Sequence, residues 1–140
     1  MPDVIPKVNS EIIYGGDIVF DGGVKLHACR EAQDIAAKFK TMLSRICPSV
    51  VFSDGGAVTV KIEKDALLPY EGYIVDINGD TLTLTAAGAP GWTYALVTLR
   101  QMFAPAGKSL SVPCCRIEDA PRFKYRGLML DEARNFFGEE

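Results

Sequence analysis

The sequence predicts an α+β fold, a two-layer sandwich in which a mainly antiparallel sheet carries two helices on one face. Three observations predict it. Short segments alternate apolar and polar residues, as half-buried strands do. Residues 28–46 and 91–103 instead space their apolar residues at three and four, as amphipathic helices do. Glycine-, proline- and asparagine-containing turns separate these segments, giving the order strands, helix, three strands, helix, strand. Helices segregated to one face of such a sheet form a two-layer domain.

Residues 4–20 read as two short strands, with Gly15-Gly16 as the turn between Ile12-Ile13-Tyr14 and Ile18-Val19-Phe20. Asp21-Gly22-Gly23 punctuates again. In the first helix Ala32, Ile35, Ala36, Phe39, Met42, Leu43 and Ile46 share a face, which leaves Arg30, Glu31, Asp34, Lys38 and Lys40 for water. Pro48 ends it, since proline has no N–H to continue the helix. Val58-Thr59-Val60-Lys61-Ile62 alternates strictly and is expected to be half buried. Strands at 72–77 and 81–85 flank Asn78-Gly79-Asp80. Asn-Gly tolerates positive φ, so Asn78 and Gly79 are expected to form a hairpin turn, with Leu82 and Leu84 facing the core. In the second helix Tyr94, Ala95, Thr98, Leu99, Met102 and Phe103 lie along one broad face, and residues 112–117 close the sheet.

Composition narrows the function classes. The 140 residues suit one domain; 48% are apolar, 24% are charged, and the net charge is -3. A nucleic-acid binder would show a basic face, so none is expected. No run of about 18 apolar residues offers a membrane-spanning helix, and the first residues lack the basic-then-apolar pattern of a secretory signal. Cys29 and Cys47 flank the first helix, roughly 27 Å apart at 1.5 Å per residue, too far for a disulfide. Cys114 and Cys115 are neighbours expected on opposite strand faces. All four read as free thiols. His27 is the sole histidine and reads as a surface residue, and His27-Ala28-Cys29 is the nearest approach to a metal pair. Neither a metal nor a cofactor is expected. No Gly-x-Ser-x-Gly elbow occurs, the glycine pairs match no phosphate loop, and Glu71 reads as a solvated carboxylate at a strand mouth.

The end of the chain carries the strongest pattern. Asp119-Ala120-Pro121 is a natural boundary, dividing a domain at 1–118 from a linker at 119–125 and a further strand within 126–140. An apolar strand needs neighbours on both edges, so the sequence is expected to hold one domain plus the first strand of a larger, truncated one. Arg126 enters that strand in apolar company, where a guanidinium needs carboxylate or hydroxyl partners. It reads either as half of a structural ion pair or as an arginine that binds sugar or carboxylate. Asp131 and Glu132 are adjacent and would point to opposite sides of a strand.

The run Pro121-Arg122-Phe123-Lys124-Tyr125-Arg126-Gly127-Leu128-Met129-Leu130-Asp131-Glu132-Ala133-Arg134-Asn135-Phe136-Phe137 resembles the lead-in to the catalytic barrel of glycoside hydrolase family 20, the β-N-acetylhexosaminidases. Upstream, Pro69-Tyr70-Glu71-Gly72-Tyr73, Gly91-Trp92-Thr93-Tyr94-Ala95 and Thr98-Leu99-Arg100-Gln101-Met102 resemble that family's N-terminal domain. The resemblance implies a zincin-like domain before a (β/α)₈ barrel. It also implies a retaining mechanism in which the sugar's own 2-acetamido group is the nucleophile, an exception to the two-carboxylate scheme. The family's Asp-Glu pair lies on a later barrel strand, and Asp131-Glu132 matches it by letters only. No catalytic residue is assigned here.

Arg126 matches the family arginine that hydrogen-bonds the terminal sugar's hydroxyls, so substrate binding is implied for it. Asn135 stands where the family usually has histidine. The zincin-like label brings no metal chemistry, because His-Glu-x-x-His is absent. By the same resemblance the glycan is handled by the missing barrel, the enzyme is extracytoplasmic, and this chain alone is catalytically silent. Leu128, Met129, Leu130, Phe136 and Phe137 are then expected to seek another partner, such as a second copy of the chain. A second reading is a non-catalytic carbohydrate-binding or interaction module, with Trp92, Tyr70 and Tyr73 stacking on sugars.

Overall fold

The computed structural model describes residues 4–129, in which eight strands and two α-helices build the expected α+β arrangement. The strands are β1 (Ser10–Phe20), β2 (Gly23–Ala28), β3 (Val51–Phe52), β4 (Val58–Lys64), β5 (Tyr73–Asn78), β6 (Thr81–Ala86), β7 (Ala104–Ala106) and β8 (Ser109–Asp119). Helix α1 (Gln33–Ile46) follows a 3-10 turn at Arg30–Ala32, and α2 spans Ala89–Met102. Expectations placed on Leu130, Asp131, Glu132, Asn135, Phe136 and Phe137 lie outside the described residues.

The sheet runs β1-β8-β5-β6-β4-β2-β3, with β7 also pairing β8. It is mixed. β1, β5 and β7 all pair antiparallel with β8, and β5 with β6. The β6–β4, β4–β2 and β2–β3 pairings are parallel. Parallel neighbours cannot be joined by a hairpin and need a crossover, and α1 supplies the one between β2 and β3. Helix α2 leads from β6 into β7, which pairs with β8, and it lies over β5 and β6.

One core lies between sheet and helices. Leu82 and Leu84 are fully buried in it, as their alternation with threonine predicts, beside Val60, Ile62, Val75 and Ile77 from the flanking strands. From the helices come Phe39 and Leu43 on one side and Trp92, Leu99 and Met102 on the other. Phe20 meets Phe103 edge-on, ring centres 5.4 Å apart. On the outer face of the central strands lie Lys61, Thr83 and Asp76, and Arg116 bridges Asp76 at 2.9 Å.

Four details depart from the sequence reading. First, Gly15-Gly16 is a bulge inside one strand rather than a turn between two. Tyr14, Gly15 and Gly16 stand opposite Cys114 alone, since Ile13 pairs with Cys115 and Asp17 with Pro113. Both glycines take positive φ, 86° and 80°, which makes room for the extra residues. Second, β2, β3 and β7 were not anticipated. Third, the hairpin loop is Gly79-Asp80, because Asn78 still pairs with Thr81. Only Gly79 has positive φ, the pattern of a type II′ rather than a type I′ turn.

Fourth, Cys114 and Cys115 are both buried, because the in–out alternation of β8 slips by one residue beside the bulge. All four cysteines are free thiols. Burial, reinforced by the Glu11 carboxylate, pushes the Cys115 thiol up to about 11.

Candidate functional site

Polar side chains converge where the chain leaves β8 and turns back across α2. The loop after β4 is pinned first. Gly72 N–H donates to the Pro69 carbonyl at 2.8 Å, and the absence of a Cβ on Gly91 lets α2 approach the Gly72 carbonyl. A Cβ there would sit 2.3 Å from that oxygen. This close contact sets Glu71, the preceding residue, beside the first turns of α2, where Tyr94 projects.

Arg126 closes the cluster. Its Nη2 donates to Glu71 Oε1 at 2.5 Å and to the Tyr94 hydroxyl at 3.1 Å, while Nη1 donates to the Phe123 carbonyl. The Tyr94 hydroxyl donates to the same Glu71 oxygen at 3.2 Å. The guanidinium carbon lies 6.0 Å from the Tyr94 ring centre, within reach of a cation–π contact. Hydrogen bonding to Glu71, then to Tyr94, holds the Arg126 pKa above its ordinary value.

A second network continues behind it. The Tyr73 hydroxyl lies 2.5 Å from Thr98 Oγ1 and donates to Asp119 Oδ2 at 3.1 Å. Burial pushes its pKa up. Asp119 Oδ1 accepts from the Asn9 backbone, and Asn9 Nδ2 donates to the Ala120 carbonyl. Arg122 donates to Asn9 Oδ1 and the Lys7 carbonyl, while Gln101 exchanges two hydrogen bonds with the Ile5 backbone. Residues 4–9 and 119–126 are thereby laced to α2 around a cavity of about 480 Å³, with Ile5, Val97, Phe123 and Arg126 on its wall.

The sequence left two uses open for Arg126, and the ion pair is present. Glu71, read as a solvated carboxylate, is instead half-buried and paired. Trp92 and Tyr73 are 1% and 3% exposed, so neither offers a ring to stack on a sugar; Tyr70 is 76% exposed. Buried rings serve the core here, and Trp92 Nε1 donates to the Glu63 carbonyl at 2.9 Å. His27 is at the surface on β2. Among the described residues no group of three or more His, Cys, Asp or Glu side chains could hold a metal, and no helix is long and apolar enough to cross a membrane. Glu71 and Tyr94 were missed as site residues. The one local signal was a carboxylate two positions before a tyrosine that the strand buries.

Residues 1–120 match the family model for glycosyl hydrolase family 20, domain 2. A β-hexosaminidase of Vibrio furnissii is 39% identical over 83 residues, covering 59% of this chain and 14% of its own length. A β-N-acetylhexosaminidase of Cellulomonas fimi is 36% identical over 107 residues, 74% of this chain and 22% of that protein. The crystal structure of a family 20 exo β-N-acetylglucosaminidase from Vibrio harveyi, in complex with N-acetylglucosamine, is 27% identical and superimposes with a TM-score of 0.83. It covers 98% of this chain and 22% of its own. The chain therefore spans about a seventh to a fifth of the length of these relatives.

Proposed function

This chain belongs to glycosyl hydrolase family 20 as its domain 2, and from that premise we propose that it serves a β-N-acetylhexosaminidase as the non-catalytic leading domain. The observation that carries the reading is the family match over residues 1–120, together with a fold shared at a TM-score of 0.83. In the intact enzyme a (β/α)₈ barrel follows and removes terminal N-acetylhexosamine from glycans with retention. The sugar's 2-acetamido group attacks its own anomeric carbon, while a barrel Asp orients the acetamide and a barrel Glu acts as general acid and then base. The enzyme works outside the cytoplasm, which fractionation of the producing cell reads directly.

Arg126 binds hydroxyls of the terminal sugar. Its pairing with Glu71 is compatible with that role. Three of its N–H groups go to Phe123, Glu71 and Tyr94; a guanidinium carries five, which leaves the Nε–H and one Nη1–H, each able to donate singly to a sugar hydroxyl.

The purified 140-residue chain is expected to release no nitrophenol from a nitrophenyl N-acetylglucosaminide, whereas the intact enzyme carrying the same domain turns it over. A barrel takes about 200 residues or more, and this sequence has 14 after Arg126. Turnover by the short chain at a rate above buffer overturns the reading.

Phe123, Tyr125, Leu128 and Met129 are 72–93% exposed, and this favours a further property of the isolated chain, self-association through that segment. Sedimentation at rising concentration is expected to show dimers, lost when Leu128 and Met129 become serine. A monomer throughout refutes it.

A further inference from the structure

We infer that Glu71 and Tyr94 are positioning residues for Arg126, so that the leading domain takes part in substrate recognition. The inference rests on the reading of Arg126 as the sugar-binding arginine and extends it to two side chains that would touch no sugar. The geometry carries it. Both acceptors belong to parts of the domain that cannot easily move. Tyr94 rides on α2, whose inner face is buried in the core, and Glu71 is held by the Pro69–Gly72 turn and the Gly72–Gly91 contact.

One carboxylate oxygen collects both the Tyr94 hydroxyl, at 3.2 Å, and Arg126 Nη2, at 2.5 Å. The phenol thus fixes the carboxylate, and the carboxylate fixes the fork. Because the guanidinium is planar, anchoring Nη2 on two acceptors and Nη1 on the Phe123 carbonyl sets the direction of the remaining donors. A long arginine side chain without this cage would have to be ordered anew for each substrate. Supporting a binding group on rigid elements removes that cost. A lysine at 126 would satisfy Glu71 yet carry no planar group whose remaining donors could be oriented.

The test uses the intact enzyme carrying this domain and steady-state turnover of nitrophenyl N-acetylglucosaminide. Hydroxyl contacts made to substrate and transition state alike appear in KM. Glu71→Ala is expected to raise KM about tenfold with kcat within about twofold, and Tyr94→Phe to raise KM about threefold. Glu71→Gln keeps the shape and one acceptor and should fall between. The Glu71→Ala/Arg126→Ala double variant should be no worse than Arg126→Ala alone, the signature of residues acting through one another. Lys64→Ala, which breaks the exposed Glu31 pair, should leave KM unchanged.

A KM unmoved by Glu71→Ala, or losses that add fully in the double variant, overturn the positioning role. Should Glu71→Ala fail to fold, Glu71→Gln and Tyr94→Phe decide: wild-type KM in both refutes it. Failure of the underlying reading looks different, because Arg126→Ala itself would then retain wild-type kcat/KM.

Discussion

Trp92→Ala is expected to cost this domain most of its stability. The indole is 1% exposed and sits near the start of α2, where the helix, β4 and the loop after β4 come together. Truncating a buried tryptophan typically costs about 3–5 kcal/mol through lost burial and the cavity left behind. Its Nε1–H also satisfies the Glu63 carbonyl, which the substitution leaves without that donor. Domains of this kind are stable by only about 5–15 kcal/mol, so the loss is a large fraction of the total. The thermal midpoint followed by circular dichroism should fall by more than about 12 °C. Trp92→Phe keeps the ring and loses the hydrogen bond, and should fall by roughly a third as much. A Trp92→Ala chain melting within about 3 °C of the parent would mean that the core collapses around the gap.

Gly91→Ala should also destabilise, against the usual rule, though by less. In an exposed helix interior the change gains about 1 kcal/mol, because alanine has the better propensity. Here the new methyl would lie 2.3 Å from the Gly72 carbonyl oxygen and 2.8 Å from Ala86 Cβ. The first obstacle is backbone, so α2 or the loop must shift. Overpacking of this kind costs about 1–3 kcal/mol or more, and it exceeds the propensity gain. The displaced loop also carries Glu71, so the intact enzyme should lose substrate affinity together with stability. Urea unfolding gives the first effect and KM the second. Gly55→Ala serves as the control, since nothing lies within 4 Å of its Cβ position and its φ is not positive. Equal urea midpoints for the two alanine variants would remove the argument.

Much of the fold was legible because its signals are local. Thr81-Leu82-Thr83-Leu84-Thr85 declares which face is buried, and the apolar spacing of α1 and α2 declares two helices. What escaped depends on partners distant in sequence. Val24, Leu26 and Ala28 alternate correctly, but Gly22-Gly23 and a helical reading that began at Ala28 hid β2. Its parallel pairing with β4 has no turn to announce it. Gly15-Gly16 spells a turn and a bulge equally well, and only Cys114 and Pro113 across the ladder decide between them.

The site divides in the same way. Arg126 was conspicuous as a charge in apolar company. Its acceptors lie 55 and 32 residues upstream, and no local pattern connects them to it. The aromatic residues misled for a related reason. A tryptophan written beside glycine and threonine gives no hint whether its ring meets water or the core, and here helix packing settles that it meets the core.

The bulge in β1 also bears on what this sheet cannot join. β1 lies at one end of the strand order and exposes Ile12, Ile13, Tyr14 and Val19, which makes it a template on which a stray extended chain could add. The double-glycine kink divides that template into Ser10–Ile13 and Asp17–Phe20, four paired residues each. No visiting strand can stay in register along the whole edge. The two glycines thus work against runaway cross-chain sheet growth along this edge.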